Sequence, residues 1–405
     1  MIAVSLAIIF IFVYVIMAKG YVPGTKLART EVAIIGGILV LLTGAIPLAS
    51  IPSVIEYQTL IILLVLMLIS AQFNLTAFYN WCATKIAAYP GSSVVLLFLV
   101  VMVAGVLSAL LVNDVIAFAM TPILCHGLSK RNINPKPFLL ALMAGCNVGS
   151  AATIVGNPQN ILIAEYGKLT FWGFLKVCGM PSLMALLVMF MLVWLVCRKE
   201  LCQQPRTKEL YLPSVERKQT AFGLFVLAIL LGLFFTEIPR YLSAIIVGLI
   251  FLVIRWRYVR SLLVMIDWRL LLLFMGLFIV NKGFAQTGIP TAAVDWLIEH
   301  GINLQHMWVL APYAFIGSNT ISNVPAVILT LTMWPQQSAQ TLYGLALLTT
   351  FAGNAFIFSS LANIIVIERA RVSGVKIYFA EHVKVGLPVT LITLLLAVWW
   401  LKLVA

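Results

Sequence analysis

Three residues in the first half of the chain, Val112, Asn113 and Asp114, interrupt a long apolar stretch. Asp114 is the one carboxylate of the thirteen Asp and Glu residues that falls deep within such a stretch. A carboxylate in a lipid-like setting costs roughly 2.5 kcal/mol or more, which makes it a functional candidate. Its chemistry suits the uptake and release of a proton, or the binding of Na⁺ beside Asn113. The alternative is a structural carboxylate that caps a helix N-terminus.

A second interruption, "GNPQN" at 156–160, lies between two apolar runs. Gly156 permits a tight turn, and Pro158 ends helix continuation. The amides of Asn157 and Asn160 both donate and accept hydrogen bonds, so they can complete the shell around a bound ion or ligand. A transmembrane helix broken at this point also exposes partial charges at its free ends. We therefore predict a broken helix that binds an ion or substrate; a merely kinked helix is the alternative.

Matching interruptions occur in the second half, in "TISNVP" (320–325) and "AGNAFIFSSLAN" (352–363). We expect all four interruptions to meet near the membrane midplane. The residues of the second half that we predict to bind substrate or ion are Ser322, Asn323, Asn354, Ser359, Ser360 and Asn363. For Na⁺, we predict ligands from Asn113, Asp114 and Asn323.

The composition identifies the class of protein. Of the 405 residues, 62% are hydrophobic and 10% are charged, which predicts a polytopic membrane protein. The net charge of +13 does not require a nucleic-acid partner, because basic residues concentrate in the cytoplasmic loops of membrane proteins. No nucleophile–base pair, ATP-binding motif or cofactor fingerprint occurs, so we expect neither an enzyme nor any cofactor beyond a bound Na⁺.

Hydrophobic runs define the elements that position these residues. A full span needs about 20 apolar residues. Eight runs fit one span each: 1–18, 32–50, 57–73, 172–197, 219–236, 241–256, 268–286 and 385–402. Four more are too long or too interrupted: 93–127, 138–168, 306–334 and 341–368. This predicts an all-α fold of about ten transmembrane helices.

Positive charge sets the orientation. When the loops 19–31, 73–92, 128–137, 198–218, 255–269 and 369–384 are placed in the cytoplasm, they hold 21 of the 26 Lys and Arg residues. The segment 93–127 then enters and leaves from the cytoplasm, and 306–334 enters and leaves from outside. Both are predicted re-entrant hairpins, whereas 138–168 and 341–368 are predicted broken helices. The location is predicted to be the inner (plasma) membrane.

The two halves align at an offset of about 210 residues. Residues 55–78 align with 266–289, 107–117 with 317–327, and 149–165 with 352–368; the last alignment pairs Asn160 with Asn363 and Glu165 with Glu368. Because the halves cross the membrane in opposite directions, this predicts an inverted repeat. We assign the first repeat to 1–205, a cytoplasmic linker to 206–218, and the second repeat to 219–405.

Four stretches carry a family resemblance: "VNDVIAFAMTP", "NVGSAATIVGNPQNIL", "SNTISNVPAVILTL" and "IEYQTLIILLVLMLISAQF". They resemble the ion transporter superfamily, in the branch of arsenite permeases, citrate–metal transporters and divalent-anion/sodium symporters. The resemblance covers almost the whole chain. It implies central anion and cation sites, elevator-like alternating access and a homodimer. It places Asn113, Gly156, Asn157 and Asn160 in a first ion site, and Ser322, Asn323, Asn354 and Ser359 in a second.

One departure bears on the mechanism. Dicarboxylate symporters place Ser-Asn-Thr at both hairpin tips, whereas this chain has Val112-Asn113-Asp114 at the first. A carboxylate there fits proton coupling or a single cation better than two-sodium symport. We therefore predict a secondary active transporter of a small anion or oxyanion, driven by H⁺ or Na⁺. The alternatives are a Na⁺/H⁺ antiporter and an arsenite or antimonite efflux permease.

Overall fold

The computed structural model describes residues 2–22, 24–25, 27–201, 212–334 and 337–404. Within these ranges it contains twenty α-helices and no strand. The all-α prediction is therefore confirmed. The predicted boundary between the first repeat and the linker, at 205/206, lies outside the described residues.

The first ten helices belong to the first half of the chain. They are α1 (Ile2–Lys19), α2 (Arg29–Leu42), α3 (Ile51–Val54), α4 (Tyr57–Leu75), α5 (Phe78–Ala87), α6 (Ser93–Leu110), α7 (Asn113–Lys130), α8 (Lys136–Ser150), α9 (Pro158–Tyr166) and α10 (Phe171–Leu201).

The second ten repeat this order of long and short elements. They are α11 (Arg217–Leu233), α12 (Arg240–Ile254), α13 (Val259–Val264), α14 (Trp268–Ala285), α15 (Ile289–Glu299), α16 (Met307–Ile321), α17 (Asn323–Met333), α18 (Ala339–Ala352), α19 (Leu361–Val372) and α20 (Phe379–Leu403). Each helix of the first set thus has one equivalent in the second set.

Six of the described helices are long and apolar enough to cross a membrane: α1, α4, α6, α10, α14 and α20. A seventh span results if α12 is joined to the bent segment that follows it, at an angle of 86°. The helices α2, α11 and α12 have 14, 17 and 15 residues, shorter than the roughly 20 residues of a full crossing. The number of about ten crossings therefore stays a prediction, while the multi-pass membrane fold is established.

Each predicted interruption separates two helices. Leu111 and Val112 separate α6 from α7, and Ser322 alone separates α16 from α17. The predicted broken helices are α8–α9 and α18–α19, which are interrupted at 151–157 and 353–360. The polar residues singled out in the sequence therefore lie at or beside helix ends, where backbone groups lack partners within a helix.

Packing divides the helices into two bundles. The first bundle contains α1–α4 and α11–α14, where α2 packs on α14 and α12 packs on α4. The second bundle contains α6–α10 and α16–α20, where α6 packs on α8 and α16 packs on α18. The helices α5 and α15 connect the bundles in the two halves. All four interruptions belong to the second bundle.

Candidate functional site

The first broken helix is held open by side chains that replace helix hydrogen bonds. Asn157 caps α9 by accepting from the backbone N–H of Asn160 at 2.9 Å. The Asn160 amide donates to the carbonyls of Ser150 and Thr153 at 3.1 and 2.9 Å. A Cβ at Gly156 would lie 2.2 Å from the Ser150 carbonyl oxygen, so this turn requires glycine. The break is therefore a built structure and not a kink.

The second broken helix repeats this geometry. The Asn363 amide donates to the carbonyls of Gly353 and Phe356 at 2.8 and 3.2 Å. These are the positions that the repeat alignment pairs with Ser150 and Thr153. Asn160 and Asn363 thus close their two breaks with the same pair of bonds. This agreement supports the internal repeat at the level of individual atoms.

Each hairpin tip contacts the broken helix of its own half. The backbone N–H of Asn113 donates to the Gly156 carbonyl at 3.2 Å. In the second half, the Ser322 hydroxyl donates to the Ser359 carbonyl at 3.1 Å. Ser322 has a φ of 77°, a left-handed conformation that is uncommon outside glycine and is a form of strain often found at functional sites.

One amide joins the two halves at the centre. Asn147, on α8, donates to the side-chain oxygens of Asn354 and Asn363, both at 3.1 Å, and accepts from the Ser360 hydroxyl at 2.8 Å. Asn113 also donates to Asn147, at 3.5 Å. The Asn147 side chain is completely buried. It therefore connects the first hairpin tip to the second break.

The equivalent position in the second half is Thr350, on α18. Its hydroxyl oxygen accepts from the side-chain amides of Asn157 and Gln159 at 3.4 and 3.1 Å. Asn147 and Thr350 thus brace the breaks reciprocally, each reaching the break of the other half. Because the Asn147 amide makes more bonds than the Thr350 hydroxyl, the second break is the more completely bonded of the two.

The part of this network that the structure describes has its unpartnered side-chain oxygens in the first half. Among the described residues, Asn113 Oδ1 and Asn160 Oδ1 are buried without a hydrogen-bond partner. Their equivalents are satisfied: Asn323 Oδ1 accepts from the Val324 N–H, and Asn363 Oδ1 accepts from Asn147. Buried oxygens without partners are costly unless a ligand or water occupies them. Among the described side chains of this network, the free oxygen ligands therefore lie in the first half.

Asp114 lies beside this network and lines a cavity. The cavity has a volume of about 370 Å³ and reaches the first hairpin tip. We call it the inner cavity, because it opens between 73–92 and 255–269, which are predicted cytoplasmic loops. Its lining residues are Met67, Asn74, Val112, Asp114, Val115, Phe118, Val264, Met265, Ile266, Asp267, Leu270 and Ile365. In the described part of the chain, the Asp114 carboxylate has no hydrogen-bond or ion-pair partner.

Two properties of the inner cavity bear on its chemistry. Asp267 is a second carboxylate in its wall, and no Lys or Arg is among its lining residues. Asp267 also caps α14 by accepting from the Leu270 N–H at 3.1 Å. The lining therefore carries two carboxylates, and the nearby Arg369 guanidinium lies over the Phe118 ring, 3.4 Å from its centroid. No ion pair offsets the Asp114 charge among the described residues.

A second cavity, of about 250 Å³, lies between the same two bundles on the opposite side. We call it the outer cavity; its lining residues are Ser53, Val54, Glu56, Leu162, Tyr166, Phe278, Lys282, Ala285, Ile328, Leu331 and Thr332. The repeat equivalents of many inner-cavity residues appear here: Met67 has Phe278, Asn74 has Ala285, Phe118 has Ile328, Asp267 has Glu56, and Ile365 has Leu162.

These two linings establish that the repeat is inverted. The inner cavity contains Asn74, at the end of α4, beside Asp267, at the start of α14. The outer cavity contains Glu56, at the start of α4, beside Ala285, at the end of α14. The equivalent helices α4 and α14 therefore run in opposite directions.

Contacts between the bundles are unequal in the two halves. The helix α4 packs on α9, α14 packs on α17, and α1 packs on α16. The equivalent pairs, α14 with α19, α4 with α7 and α11 with α6, make slight contact or none among the described residues. The outer cavity stops short of the second hairpin tip, whereas the inner cavity reaches the first. The structure is thus closed on the outer side and open on the inner side.

The structure brings most of the predicted site residues together. One hydrogen-bonded network contains Asn113, Asn147, Asn354, Ser360 and Asn363. Gly156 joins it through the Asn113 backbone and Asn157 through Ser150, while Ser322 and Ser359 contact each other. Among the described residues, Asn323 makes no hydrogen bond to Asn113 or Asp114; its side-chain oxygen accepts from the Val324 N–H.

Sequence reasoning missed Asn147, Thr350 and Asp267. Asn147 is an amide within an otherwise apolar helix, and Thr350 is its repeat equivalent, so the alignment contained a signal for both. Asp267 stands at the edge of a span, where a carboxylate is common. Only the packing of α14 against the inner cavity indicates that it faces Asp114.

Comparison with known proteins agrees with this architecture. Residues 12–348 match the family model described as "Citrate transporter". The chain is 25% identical to a silicon efflux transporter of Oryza sativa subsp. japonica, with 92% of each chain covered. It is 23% identical to a putative transporter, arsB, of Dictyostelium discoideum, covering 92% of this chain and 87% of that one. It is 28% identical to the inner membrane protein YbiR of Escherichia coli, covering 79% and 81%.

Solved structures with a similar fold include two transporters. The YdaH transporter of Alcanivorax borkumensis has a TM-score of 0.59 and 12% identity, with 98% of each chain covered. MtrF of Neisseria gonorrhoeae, described as one of a class of antimetabolite efflux pumps, has a TM-score of 0.55 and 12% identity, covering 99% of this chain and 94% of that one. At this identity the likeness concerns the fold alone.

Proposed function

The chain belongs to the citrate transporter family, and we propose from this premise that it is a secondary active transporter of a small anion or oxyanion. It is a membrane transporter and not an enzyme, and it is a multi-pass protein of the plasma membrane. Transport proceeds by alternating access and is coupled to H⁺ or Na⁺. The observation that carries this proposal is the inner cavity, which leads from one side of the protein to Asp114 at the junction of a hairpin tip and a broken helix.

Asp114 is the proposed coupling group. Its carboxylate has no salt-bridge partner in the described structure, and a charge so placed is costly unless a cation or proton neutralises it. When the inner cavity is open, the carboxylate exchanges its proton with that side. When the protein opens outward, it exchanges with the other side. This requirement for neutralisation before crossing is what couples the ion to the substrate.

The amide network is the proposed substrate and cation cage. Asn113 Oδ1 and Asn160 Oδ1 are hard oxygen ligands of the kind that Na⁺ uses, and both are free. The ends of α8 and α9 add backbone donors and acceptors that fit an oxyanion without a full positive charge. One cation site, in the first half, is therefore better supported than two.

A second candidate is favoured by the acidic wall of the inner cavity. Asp114 and Asp267 repel a multiply charged anion, and no lining Lys or Arg offsets them. That wall fits better with an uncharged substrate, such as the neutral hydroxide form of arsenite or antimonite in an efflux permease. It also fits a cation, as in a Na⁺/H⁺ antiporter. The names of two relatives, a silicon efflux transporter and a putative arsB transporter, point toward the hydroxide.

A thermal-shift panel on the detergent-purified protein separates these candidates. Carboxylate anions, oxyanions, neutral hydroxides, Na⁺ and Li⁺ are tested at pH 6 and pH 8. Stabilisation by one oxyanion class supports the leading proposal, and stabilisation by a hydroxide alone supports efflux of that hydroxide. Stabilisation by Na⁺ or Li⁺ with no second ligand supports the antiporter. If no ligand acts on a folded protein, the proposed cage is wrong.

A further inference from the structure

One arginine fastens the end of α9 to the first bundle. Arg240, the first residue of α12, pairs with Glu165 at 2.5 Å. It also donates to the carbonyls of Leu169 and Ala164, at 2.5 and 3.1 Å. The Arg240 and Glu165 side chains are only 12% and 7% exposed. This clasp holds the two bundles together on the outer side, where they are closed.

The repeat supplies an equivalent pair that is not formed. Arg29 is the first residue of α2, as Arg240 is of α12, and the alignment pairs Glu368 with Glu165. Glu368 is exposed and has no ion-pair or hydrogen-bond partner among the described residues. Arg29 donates weakly to the Phe358 carbonyl at 3.4 Å, and its Nε is buried without a partner. A buried guanidinium N–H without a partner is costly, so Arg29 is not in its best-bonded position.

The two arginines lie at different heights along their helices. Arg240 is level with the C-terminal end of α9, whereas Arg29 is level with the second break, before α19 begins. From Leu361 to Glu368 an α-helix rises roughly 10 Å. To bring Glu368 level with Arg29, the second bundle would have to move outward by roughly 10 Å. In the present structure it is therefore displaced toward the inner side by about that distance.

We propose that Arg240–Glu165 and Arg29–Glu368 are alternating clasps. The first forms when the inner cavity is open, and the second forms when the outer cavity is open. In the outward state Arg240 lies beside Val155, the equivalent of Phe358. This inference rests on the alternating access proposed above, and it names the ion pairs that set the balance between the two states.

Cross-linking tests the two states in the full-length chain with its six native cysteines replaced. Cysteine pairs at Arg240/Glu165 and Arg29/Phe358 report the inward state, and pairs at Arg29/Glu368 and Arg240/Val155 report the outward state. Each is treated in membranes with a short bifunctional methanethiosulfonate. We expect all four pairs to cross-link. If the inward pairs react and neither outward pair does, the proposal is overturned.

A charge variant tests the energetic role of the first clasp. Arg240→Gln in the Arg29/Glu368 cysteine background removes the inward clasp, and we expect the cross-linking yield to rise about threefold or more. Lys168→Gln is the matched control, because Lys168 lies at the same end of α9 without a side-chain bond to Glu165. A fall or no change in yield with Arg240→Gln, or an equal rise with the control, contradicts the proposal.

A charge swap guards against misfolding of the single variant. The double variant Arg240→Glu with Glu165→Arg restores an ion pair and should return the yield to that of the parent. Failure of this rescue in a folded double variant also contradicts the proposal. None of these readouts needs a substrate. If all four pairs cross-link but the protein shows no measurable transport, the proposed function is contradicted and the alternating clasps are not.

Discussion

The inner and outer cavities have equivalent walls but different depths. Phe118 faces the inner cavity with 41% of its surface exposed, whereas its equivalent Ile328, in the outer cavity, is 3% exposed. The inner cavity reaches Val112 and Asp114 at a hairpin tip, and the outer cavity stops before Ser322. The two halves of the second bundle, α6–α10 and α16–α20, have the same fold but therefore lie in different positions relative to the first bundle.

This difference indicates how one sequence can serve two states. Because the halves have the same fold, the packing that one half shows in this state predicts the packing of the other half in the opposite state. In the present state α4 contacts α9, α14 contacts α17 and α1 contacts α16. In the other state we expect the equivalent contacts, of α14 with α19, α4 with α7 and α11 with α6. Where the halves differ in side chains, as at Asp114 and Val324, they differ in chemical role.

The largest effect is expected at that chemical difference. Asp114→Asn removes the ionisable group at the first tip, and we expect transport in proteoliposomes to fall by roughly a hundredfold and to lose its pH or Na⁺ dependence. Val324→Asn places the same amide at the equivalent position of the second tip and serves as the control. Equal losses in the two variants would contradict a special role for Asp114.

A smaller effect separates the two central braces. Asn147→Ala removes three bonds to the second break, so we expect the free energy of unfolding to fall by about 3 kcal/mol. Thr350→Val removes weaker bonds to the first break and should cost about 1 kcal/mol. Thermal melting in detergent measures both. The reverse order would mean that the second break is not the more firmly held one.

The two closing asparagines offer a matched pair for the cation site. Asn160→Ala and Asn363→Ala each delete the same two bonds to the break, and Asn363→Ala also deletes the bond from Asn147. We expect stability to fall by about 2 kcal/mol and about 3 kcal/mol, respectively. Only Asn160 has a free oxygen, so only Asn160→Ala should abolish a melting shift produced by Na⁺ or Li⁺. Retention of that shift in Asn160→Ala, with its loss in Asn363→Ala, would place the cation in the other half.

The smallest effect concerns Glu56, at the mouth of the outer cavity. Burial, and then the nearby charge of Glu165, raises the pKa of Glu56. The folded state thus binds its proton more tightly than the unfolded state, so stability falls as pH rises from the unfolded pKa toward the folded one. Glu56→Gln should reduce the difference in unfolding free energy between pH 4 and pH 7. The reduction should be less than about 1 kcal/mol, because solvent screens the group. Melting at pH 4 and pH 7 tests this; an unchanged difference contradicts it.

Much of the fold follows from the sequence. Long apolar runs give helices, and Gly156, Pro158 and Ser322 stand where those helices are interrupted. The predicted broken segment 138–168 is observed as α8 and α9, from Lys136 to Tyr166. These features are local, since they depend on backbone conformation and on the length of apolar runs.

The contacts between the halves did not follow from the sequence. The bonds of Asn147 with Asn354, Ser360 and Asn363 join residues more than 200 positions apart, and no local pattern specifies them. The alignment predicted that Asn160 and Asn363 are equivalent, but not that one oxygen would be free and the other bonded. The sequence is also silent on which cavity is open, because both states share it.

The most direct test of the account is the accessibility of the two cavities from opposite sides of the membrane. Single cysteines at Phe118 and Ile328, in a chain without other cysteines, are exposed to a membrane-impermeant maleimide in right-side-out and inside-out vesicles. We expect the Phe118→Cys protein to react rapidly and only from the cytoplasmic side, and the Ile328→Cys protein to react more slowly and only from outside. Reaction of both from the same side, or of neither in a folded protein, would contradict two equivalent cavities that open in turn.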